Sequence, residues 1–185
     1  MHILAISGSL RAASSNTMLL RTVAALAPDG VDVTLYDALA DLPHFNPDLD
    51  GALDDPALPS AVRDLRSRVG AAHALLISSP EYAHGVPGSL KNALDWLVGG
   101  SEMPGKPVAL IAASPRATHA QASLAETLRT MSAELVPGSP FLVPVAGSAL
   151  DESSLVRDPT FRSAISAVFA ALARAVTAVR AQGSG

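Results

Sequence analysis

The stretch Gly8–Asn16 carries side chains that are well suited to hold a phosphate. Its hydroxyl, guanidinium and amide groups belong to Ser9, Arg11, Ser14, Ser15 and Asn16. An arginine offers a planar fork that matches phosphate oxygens, and a phosphate accepts several hydrogen bonds at once. Helix capping explains serine and asparagine at such a place equally well, but no cap requires Arg11. The stretch therefore predicts a phosphate site, with simple capping as the alternative.

A predicted strand and a predicted helix flank this stretch. Ile3–Ile6 is a short apolar run, typical of a strand buried on both faces of a parallel sheet. Apolar residues then recur at helical spacing through Met18–Leu26. A strand, a small-residue turn and a helix N-terminus bring unpaired N–H groups and the positive end of the helix dipole to one place. Such a place favours an anion.

A second loop, Pro80–Gly88, contains two prolines and two glycines in nine residues, so it favours neither helix nor strand. Gly85 and Gly88 allow a flat ring to approach the backbone closely. Backbone polar groups from Glu81 to Gly85 could bind the polar edge of such a ring. The two loops together suggest a flat ligand with a phosphate tail, a description that FMN fits. A rigid connecting turn is the alternative for the second loop.

Strands and helices alternate along the whole chain. The predicted strands are Ile3–Ile6, Val31–Tyr36, His73–Ser79, Pro107–Ala113 and Phe141–Val143. The predicted helices cover Met18–Leu26, Pro56–Ala72, Ser89–Leu97, Ala120–Leu135 and Pro159–Arg180, and a long loop covers Asp37–Asp55. This pattern predicts an α/β fold: a three-layer sandwich around a five-stranded parallel sheet of order 2-1-3-4-5, which is flavodoxin-like. The loops that follow strands one, three and four, the last beginning at Ser114, then meet at one crevice.

Composition limits the remaining possibilities. We expect one domain over residues 1–182, because 185 residues suffice for one hydrophobic core but not for two. We expect residues 183–185 to be a disordered tail, since the last residues of a domain are often poorly ordered. A formal charge of −4 with 13 Lys and Arg argues against a nucleic-acid partner. The absence of cysteine excludes disulfides and cysteine-based zinc sites. The first residues show no export signal, so we expect a cytoplasmic protein without a membrane partner.

Two motifs at matching spacing resemble those of the NAD(P)H-dependent FMN reductase family of flavodoxin-like proteins. The first motif is Gly8-Ser9-Leu10-Arg11-x-x-Ser14-x-Asn16. The second joins Pro80-Glu81-Tyr82 to Pro87-Gly88-x-Leu90-Lys91-Asn92-Ala93-x-Asp95-Trp96. The resemblance covers roughly residues 1–145. The family includes FMN-dependent quinone, chromate and azo-dye reductases.

The resemblance implies a set of cofactor-binding residues. Those that would hold the FMN phosphate are Ser9, Arg11, Ser14 and Asn16, with Ser15 nearby. Those that would contact the isoalloxazine and ribityl chain are Pro80, Glu81, Tyr82 and Gly85, and the set is completed by Ala83, His84 and Ser114. The family often has Asn-x-Ser after the tyrosine, where this chain has Ala83-His84-Gly85. Some side-chain hydrogen bonds to the flavin are therefore missing here.

The resemblance also implies an activity: NADPH or NADH passes a hydride to bound FMN, and electrons then go to a quinone, a flavin, an azo compound or a metal oxyanion. The cofactor carries this chemistry, so no catalytic side chain and no metal ligand is assigned. His84 is a candidate proton donor to a reduced quinone, with an ordinary exposed histidine as the alternative. The family's oligomers imply a homodimer or homotetramer, in which the partner's Leu42–Asn46 segment would close the flavin site.

Two other classes of protein remain open from the sequence. One is a flavodoxin-type electron carrier, which binds FMN without nicotinamide chemistry. A carrier normally has a strongly acidic docking face, and a charge of −4 argues mildly against it. The other is a receiver-type signalling domain, which needs an acidic cluster after the first strand. Ser7-Gly8-Ser9 occupies that position, so the sequence favours the reductase.

Overall fold

The computed structural model describes residues 1–112, 116–143 and 151–182. Its strands are β1 His2–Ser7, β2 Asp32–Tyr36, β3 Ala74–Ser78, β4 Pro107–Ala112, β5 Glu134–Leu135 and β6 Phe141–Leu142. Its helices are α1 Ser15–Ala25, α2 Ser60–Ala71, α3 Gly88–Val98, α4 Thr118–Thr130, α5 Glu152–Arg157 and α6 Pro159–Gln182. Two 3₁₀ turns, Leu39–Asp41 and Pro47–Leu49, lie within the long predicted loop. The predicted disordered tail, 183–185, lies outside the described residues.

The sheet has the predicted order, β2-β1-β3-β4-β5, and every strand pair in it is parallel. Ile6 pairs with Tyr36 on one side and with Ile77 on the other, so β1 lies in the middle of the first three strands. The carboxyl ends of β1 and β3 are level, because Ser7 pairs with Ser78. This arrangement confirms the flavodoxin-like fold and places the loops after β1 and β3 side by side.

The prediction of one fifth strand at Phe141–Val143 is wrong in detail, because two short strands pair with β4 in place of one. β5 pairs with Pro107–Val108, and β6 pairs with Ile111–Ala112. Between the two strands, the Ser139 hydroxyl accepts a hydrogen bond from the Leu110 N–H at 3.2 Å. The Ser139 side chain thus provides the acceptor for the Leu110 N–H, which lies between the part of β4 that pairs with β5 and the part that pairs with β6.

The predicted helix Ala120–Leu135 is also too long, since α4 ends at Thr130. Ser132 adopts a left-handed conformation with φ 60°. Its N–H donates to the Arg129 carbonyl at 2.8 Å, and the Ala133 N–H donates to the Leu128 carbonyl at 3.0 Å. These are the two hydrogen bonds of a Schellman motif, which usually has glycine where this chain has Ser132. The helix end was missed because that glycine is absent.

Two apolar clusters cover the two faces of the sheet. Leu4 and Ile6 of β1 belong to the cluster formed with α2, α3 and α4, whereas Ile3 and Ala5 belong to the cluster formed with α1 and α6. Alternate residues of one strand thus serve both clusters, which explains why β1 is apolar along its length. α6 has the length and apolar composition of a membrane-spanning helix, and its Phe161, Phe169 and Leu172 side chains belong to the second cluster.

Candidate functional site

The turn after β1 approaches β3 closely at Gly8. The Gly8 N–H donates to the Ser78 carbonyl at 2.8 Å. A Cβ atom at this position would lie 2.7 Å from Ser79 Oγ and 3.0 Å from Leu90 Cδ2, so any side chain here would displace both neighbours. These close contacts favour glycine at this position.

Ser14 caps α1. Its buried hydroxyl accepts a hydrogen bond from the Thr17 N–H at 3.2 Å. The first two helical residues, Ser15 and Asn16, have N–H groups with no acceptor inside a helix. For Ser14, the capping alternative is thus what the structure shows, and the N–H groups of Ser15 and Asn16 remain at the positive end of α1.

Hydroxyl and amide groups tie the first turn of α1 to the ends of β1 and β3. The Thr17 hydroxyl donates to Ser7 Oγ at 2.8 Å, and the Ser78 hydroxyl donates to Asn16 Oδ1 at 2.9 Å. Because the Asn16 oxygen is used in this way, its NH₂ group is the part of the amide left for a ligand. Sequence reasoning missed Ser78, although a serine at the end of a buried strand was the available signal.

Ser9 and Arg11 lie on the outer part of the same turn. The Ser9 hydroxyl accepts a weak hydrogen bond from the Arg11 N–H at 3.4 Å. The Arg11 side chain is exposed, and no carboxylate within residues 1–112, 116–143 and 151–182 forms an ion pair with it. Its guanidinium charge is therefore not neutralised by a neighbouring acid in this part of the chain.

The loop after β3 contains a two-residue hairpin turn. The Tyr82 N–H donates to the Gly85 carbonyl at 3.1 Å, and the Gly85 N–H donates to the Tyr82 carbonyl at 2.9 Å. The two central residues, Ala83 and His84, have φ values of 48° and 59°. Positive φ at both central positions is the signature of a type I′ turn, which favours Asn-Gly. Each non-glycine residue in this conformation costs roughly 1–2 kcal/mol.

The left-handed residues of this loop are thus not the glycines that the sequence singled out. Gly85 and Gly88 have ordinary φ values, and a Cβ at Gly88 would meet no atom within 4 Å. Neither glycine is needed for an unusual backbone conformation, and the space beside Gly88 is open. The strained positions are Ala83 and His84, and strain of this kind concentrates at functional sites.

Two contacts join the same loop to the start of α4. Glu81 Oε2 accepts a hydrogen bond from the Ala120 N–H, in the first turn of α4, at 2.9 Å. A carboxylate in this position also interacts favourably with the positive end of the helix dipole. The rings of His84 and His119 stack, with centroids 4.3 Å apart and planes inclined by 14°. Glu81 therefore acts as a helix cap, through a side-chain hydrogen bond to a residue 39 positions away along the chain.

One cavity of about 360 Å³ lies between the two loops. Its walls come from the start of α1, the end of β3 and the region around β4 and α4: Ser15, Asn16, Ser79, Pro80, Glu81, Ala112, Arg116 and Ala117. The predicted residues Ser15, Asn16, Pro80 and Glu81 are thus brought together. Ser9, Arg11 and Ser14 lie on the same turn as Ser15, and Tyr82, Ala83, His84 and Gly85 continue from Glu81. Ser114 lies outside the described residues.

A larger cavity of about 710 Å³ lies at the opposite, amino-terminal edge of the sheet, beside His73 and Pro107. Its Lys106 ammonium donates to the Ala72 carbonyl at 2.6 Å, at the end of α2, and so acts as a helix cap. Burial lowers the pKa of Lys106. Open α/β sheets bind their ligands at the carboxyl edge, which favours the smaller cavity as the site.

The donors at the smaller cavity fit a phosphate monoester. They comprise the N–H groups of Ser15 and Asn16, the Asn16 amide and the Ser15 hydroxyl, whereas Arg11 lies outside the cavity lining, on the turn that precedes α1. The positive end of α1 adds a field of the right sign. The close packing of Gly8 against β3 lets this turn lie directly beside the second loop. The residues present therefore suit a phosphate at one end and a flat group at the other.

Residues 1–147 match the sequence model of the family described as NADPH-dependent FMN reductase. An NAD(P)H-dependent FMN reductase of Pseudomonas aeruginosa is 33% identical over 168 residues, which are 88% of each chain. A quinone reductase of Escherichia coli K12 is 35% identical over 109 residues, 59% of this chain and 55% of that one. Among solved structures, the flavoenzyme NAD(P)H:(acceptor) oxidoreductase FerB of Paracoccus denitrificans has a TM-score of 0.76 and 30% identity, covering 92% of this chain and 94% of its own.

These similarities confirm three predictions from the sequence. The fold is flavodoxin-like, the enzyme class is that of NAD(P)H-dependent flavin oxidoreductases, and the cofactor is FMN. The family match extends across both loops of the cavity and across all six strands. This chain belongs to the NADPH-dependent FMN reductase family.

Proposed function

We propose that this protein binds FMN in the cavity of about 360 Å³, takes electrons from NADPH or NADH, and reduces a small-molecule acceptor of the quinone type. A single observation carries the proposal: Ser15 and Asn16 from the first loop and Pro80 and Glu81 from the second loop line one cavity. Asn16 and Pro80 are 64 residues apart in the sequence. Flavins, azo compounds and metal oxyanions are the other acceptors that the sequence predicts.

Residues of the first loop would hold the phosphate. The N–H groups of Ser15 and Asn16 and the Asn16 amide would donate to its oxygens, and Arg11 would neutralise its charge. Ser9 and Ser15 would add hydroxyl donors. Ser14 would act indirectly, because its hydroxyl already caps α1 through Thr17.

Residues of the second loop would position the ring system. Pro80 and Glu81 line the cavity, and the hairpin Tyr82–Gly85 follows directly. The hairpin lets Tyr82, which is 56% exposed, lie beside the ring without filling the cavity. Bound FMN would supply the redox chemistry, whereas these side chains bind it, orient it and shape access to it.

A quinone is the acceptor that we favour. The relatives include a quinone reductase of Escherichia coli and a 2-hydroxy-1,4-benzoquinone reductase of Burkholderia, the latter 37% identical over 117 residues. Tyr82 and His84 are exposed on the hairpin, and their aromatic rings would be available to stack on a flat acceptor. We assign no nucleophile to this reaction.

We also propose that residues 1–182 form one cytoplasmic domain that assembles as a homodimer or homotetramer. The Leu42–Asn46 segment is held firmly on α3: Asn92 bonds both the Phe45 N–H and the Pro43 carbonyl, at 2.8 and 2.9 Å, and the Trp96 indole donates to the same carbonyl at 2.8 Å. Phe45 nonetheless remains 36% exposed, and so is suited to contact a partner's flavin site. Sedimentation of a monomer at micromolar concentration would contradict this assembly.

The function is tested by anaerobic addition of NADPH or NADH to the protein loaded with FMN. We expect the visible flavin absorbance to bleach within seconds and to return when a quinone is added. A flavodoxin-type carrier would bind FMN without this bleaching. Bound FMN that neither nucleotide reduces would therefore contradict the proposed reductase and favour the carrier.

A further inference from the structure

Two histidines stack on segments that also line the cavity. His84 lies in the hairpin Tyr82–Gly85 and His119 lies in the first turn of α4. Their ring centroids are 4.3 Å apart, and their planes are inclined by only 14°. Both residues are exposed. The segments that carry them also supply the Glu81 and Ala117 walls of the cavity, three and two residues away along the chain, so the pair belongs to the surroundings of the proposed site.

The position of His84 is fixed by several interactions. The hairpin is closed by two backbone hydrogen bonds, and Glu81 is bound to the Ala120 N–H, next to His119. His84 is held at φ 59° within this frame. A strained residue persists only where surrounding structure determines its conformation, and such residues concentrate at functional sites.

A stacked pair of imidazoles suits the transfer of a single proton. Imidazole changes charge near neutral pH, and two imidazolium rings this close would repel each other. Of the two rings, His84 belongs to the loop that the resemblance places against the flavin, so it is the candidate donor. The other titratable or charged groups on the two segments are Glu81, Tyr82 and Arg116.

We propose, resting on the function proposed above, that His84 donates a proton to the acceptor and that His119 is its positioning residue. Reduction of a quinone to a hydroquinone takes two electrons and two protons. NAD(P)H supplies both electrons and one proton by way of the flavin. The other proton comes from His84: an imidazolium N–H bond breaks and an O–H bond forms at a quinone oxygen. The neutral imidazole then takes a proton from water.

The first test compares two acceptors in the oxidative half-reaction, measured by stopped flow from about pH 5 to 9. 1,4-Benzoquinone needs protons, whereas ferricyanide accepts electrons without them. His84→Gln should slow benzoquinone reduction roughly 100-fold more than it slows ferricyanide reduction, the lower part of the range for general acid catalysis, because any effect on flavin binding acts on both acceptors equally. His84→Phe should behave in the same way, because it keeps an aromatic ring on His119 but has no proton to give.

Further variants separate positioning from chemistry. His119→Gln should cause a smaller loss with benzoquinone and should shift the midpoint of the pH profile. His2→Gln is the matched control, since His2 begins β1 at the opposite edge of the sheet, and it should change neither rate. Equal slowing with both acceptors, or an unchanged benzoquinone rate in His84→Gln, would overturn the proposal.

A second test does not depend on turnover. In proton NMR of the protein, the imidazole C2–H signal of His84 should titrate at a different pH when His119 is replaced by glutamine, because a charge on one ring acts on the other across 4.3 Å. An unchanged titration of His84 would show that the rings are uncoupled and would overturn the pair. Failure of NADPH and NADH to reduce bound FMN in the unmodified protein is a separate result, which contradicts the proposed function.

Discussion

Asn16 Oδ1 accepts a hydrogen bond from the Ser78 hydroxyl at 2.9 Å, which joins the first turn of α1 to the end of β3. The oxygen of this amide therefore faces the protein, and the NH₂ group is left for a ligand. The same residue lines the cavity between the two loops. One side chain thus connects the phosphate half of the proposed site to the strand that leads into the ring half.

Replacing Asn16 tests both halves of this connection. In Asn16→Asp the carboxylate still accepts from Ser78, but its charge repels a phosphate. In Asn16→Ala the buried Ser78 hydroxyl loses its acceptor, at a cost of about 1–3 kcal/mol in unfolding free energy. We expect Asn16→Asp to bind FMN more weakly than Asn16→Ala, and Asn16→Ala to unfold at lower urea. The two variants should therefore rank in opposite orders for FMN affinity and for stability to urea. If one variant is the weaker in both measurements, the proposed role of Asn16 is contradicted.

Arg11→Ala should weaken FMN binding by roughly 1.5–3 kcal/mol, the range for a hydrogen bond to a charged group. It should leave riboflavin binding unchanged, because riboflavin has no phosphate. Arg21→Ala, which removes an exposed arginine from α1, is the matched control. A fluorescence titration reports both constants, and full FMN affinity in Arg11→Ala would remove Arg11 from the site.

Ala83→Gly should stabilise the protein. Glycine adopts the left-handed conformation without the roughly 1–2 kcal/mol that alanine costs there, which exceeds the loss of about 0.5–1 kcal/mol from added chain entropy. Ala122→Gly, on an exposed face of α4, should instead destabilise by about 1 kcal/mol. Urea unfolding followed by circular dichroism measures both changes. Destabilisation by both substitutions would show that the turn is not strained.

Glu81→Ala should remove the side-chain cap of α4 at Ala120 and lower the unfolding free energy by about 0.5–2 kcal/mol. Glu81→Gln keeps an oxygen acceptor and loses only the charge, so it should cost less, about 0.3–1 kcal/mol. Calorimetric melting curves would show this order. Equal losses in the two variants would mean that the hydrogen bond to Ala120 contributes nothing.

The sequence predicted the sheet order because alternating apolar runs and helical segments indicate a parallel α/β sheet, for which the flavodoxin-like order was expected, and Gly8 and Pro80 mark where two strands end. It failed where the usual residue is absent. Ser132 ends α4 in a conformation that normally signals itself by glycine, and Ser139 replaces a backbone partner between β5 and β6. Short strands such as β5 carry too few residues to show a period.

At the site, the sequence predicted the two loops but not the contacts of the second loop with α4. The stack of His84 on His119 and the bond from Ala120 to Glu81 join residues more than 30 positions apart. Neither contact leaves a local pattern, because each depends on how α4 is placed against the loop after β3. The left-handed conformations of Ala83 and His84 were also missed, because the sequence analysis assigned the unusual backbone of this loop to the neighbouring Gly85.

Comparison of FMN with riboflavin in an equilibrium binding titration tests the central claim most directly. If the cavity holds the phosphate at Gly8–Asn16 and the ring at Pro80–Gly85, FMN should bind at least about 100-fold more tightly than riboflavin, equivalent to roughly 2.7 kcal/mol from the phosphate contacts. Both should compete for one site. Equal affinities for the two flavins, or no binding of either, would contradict the account.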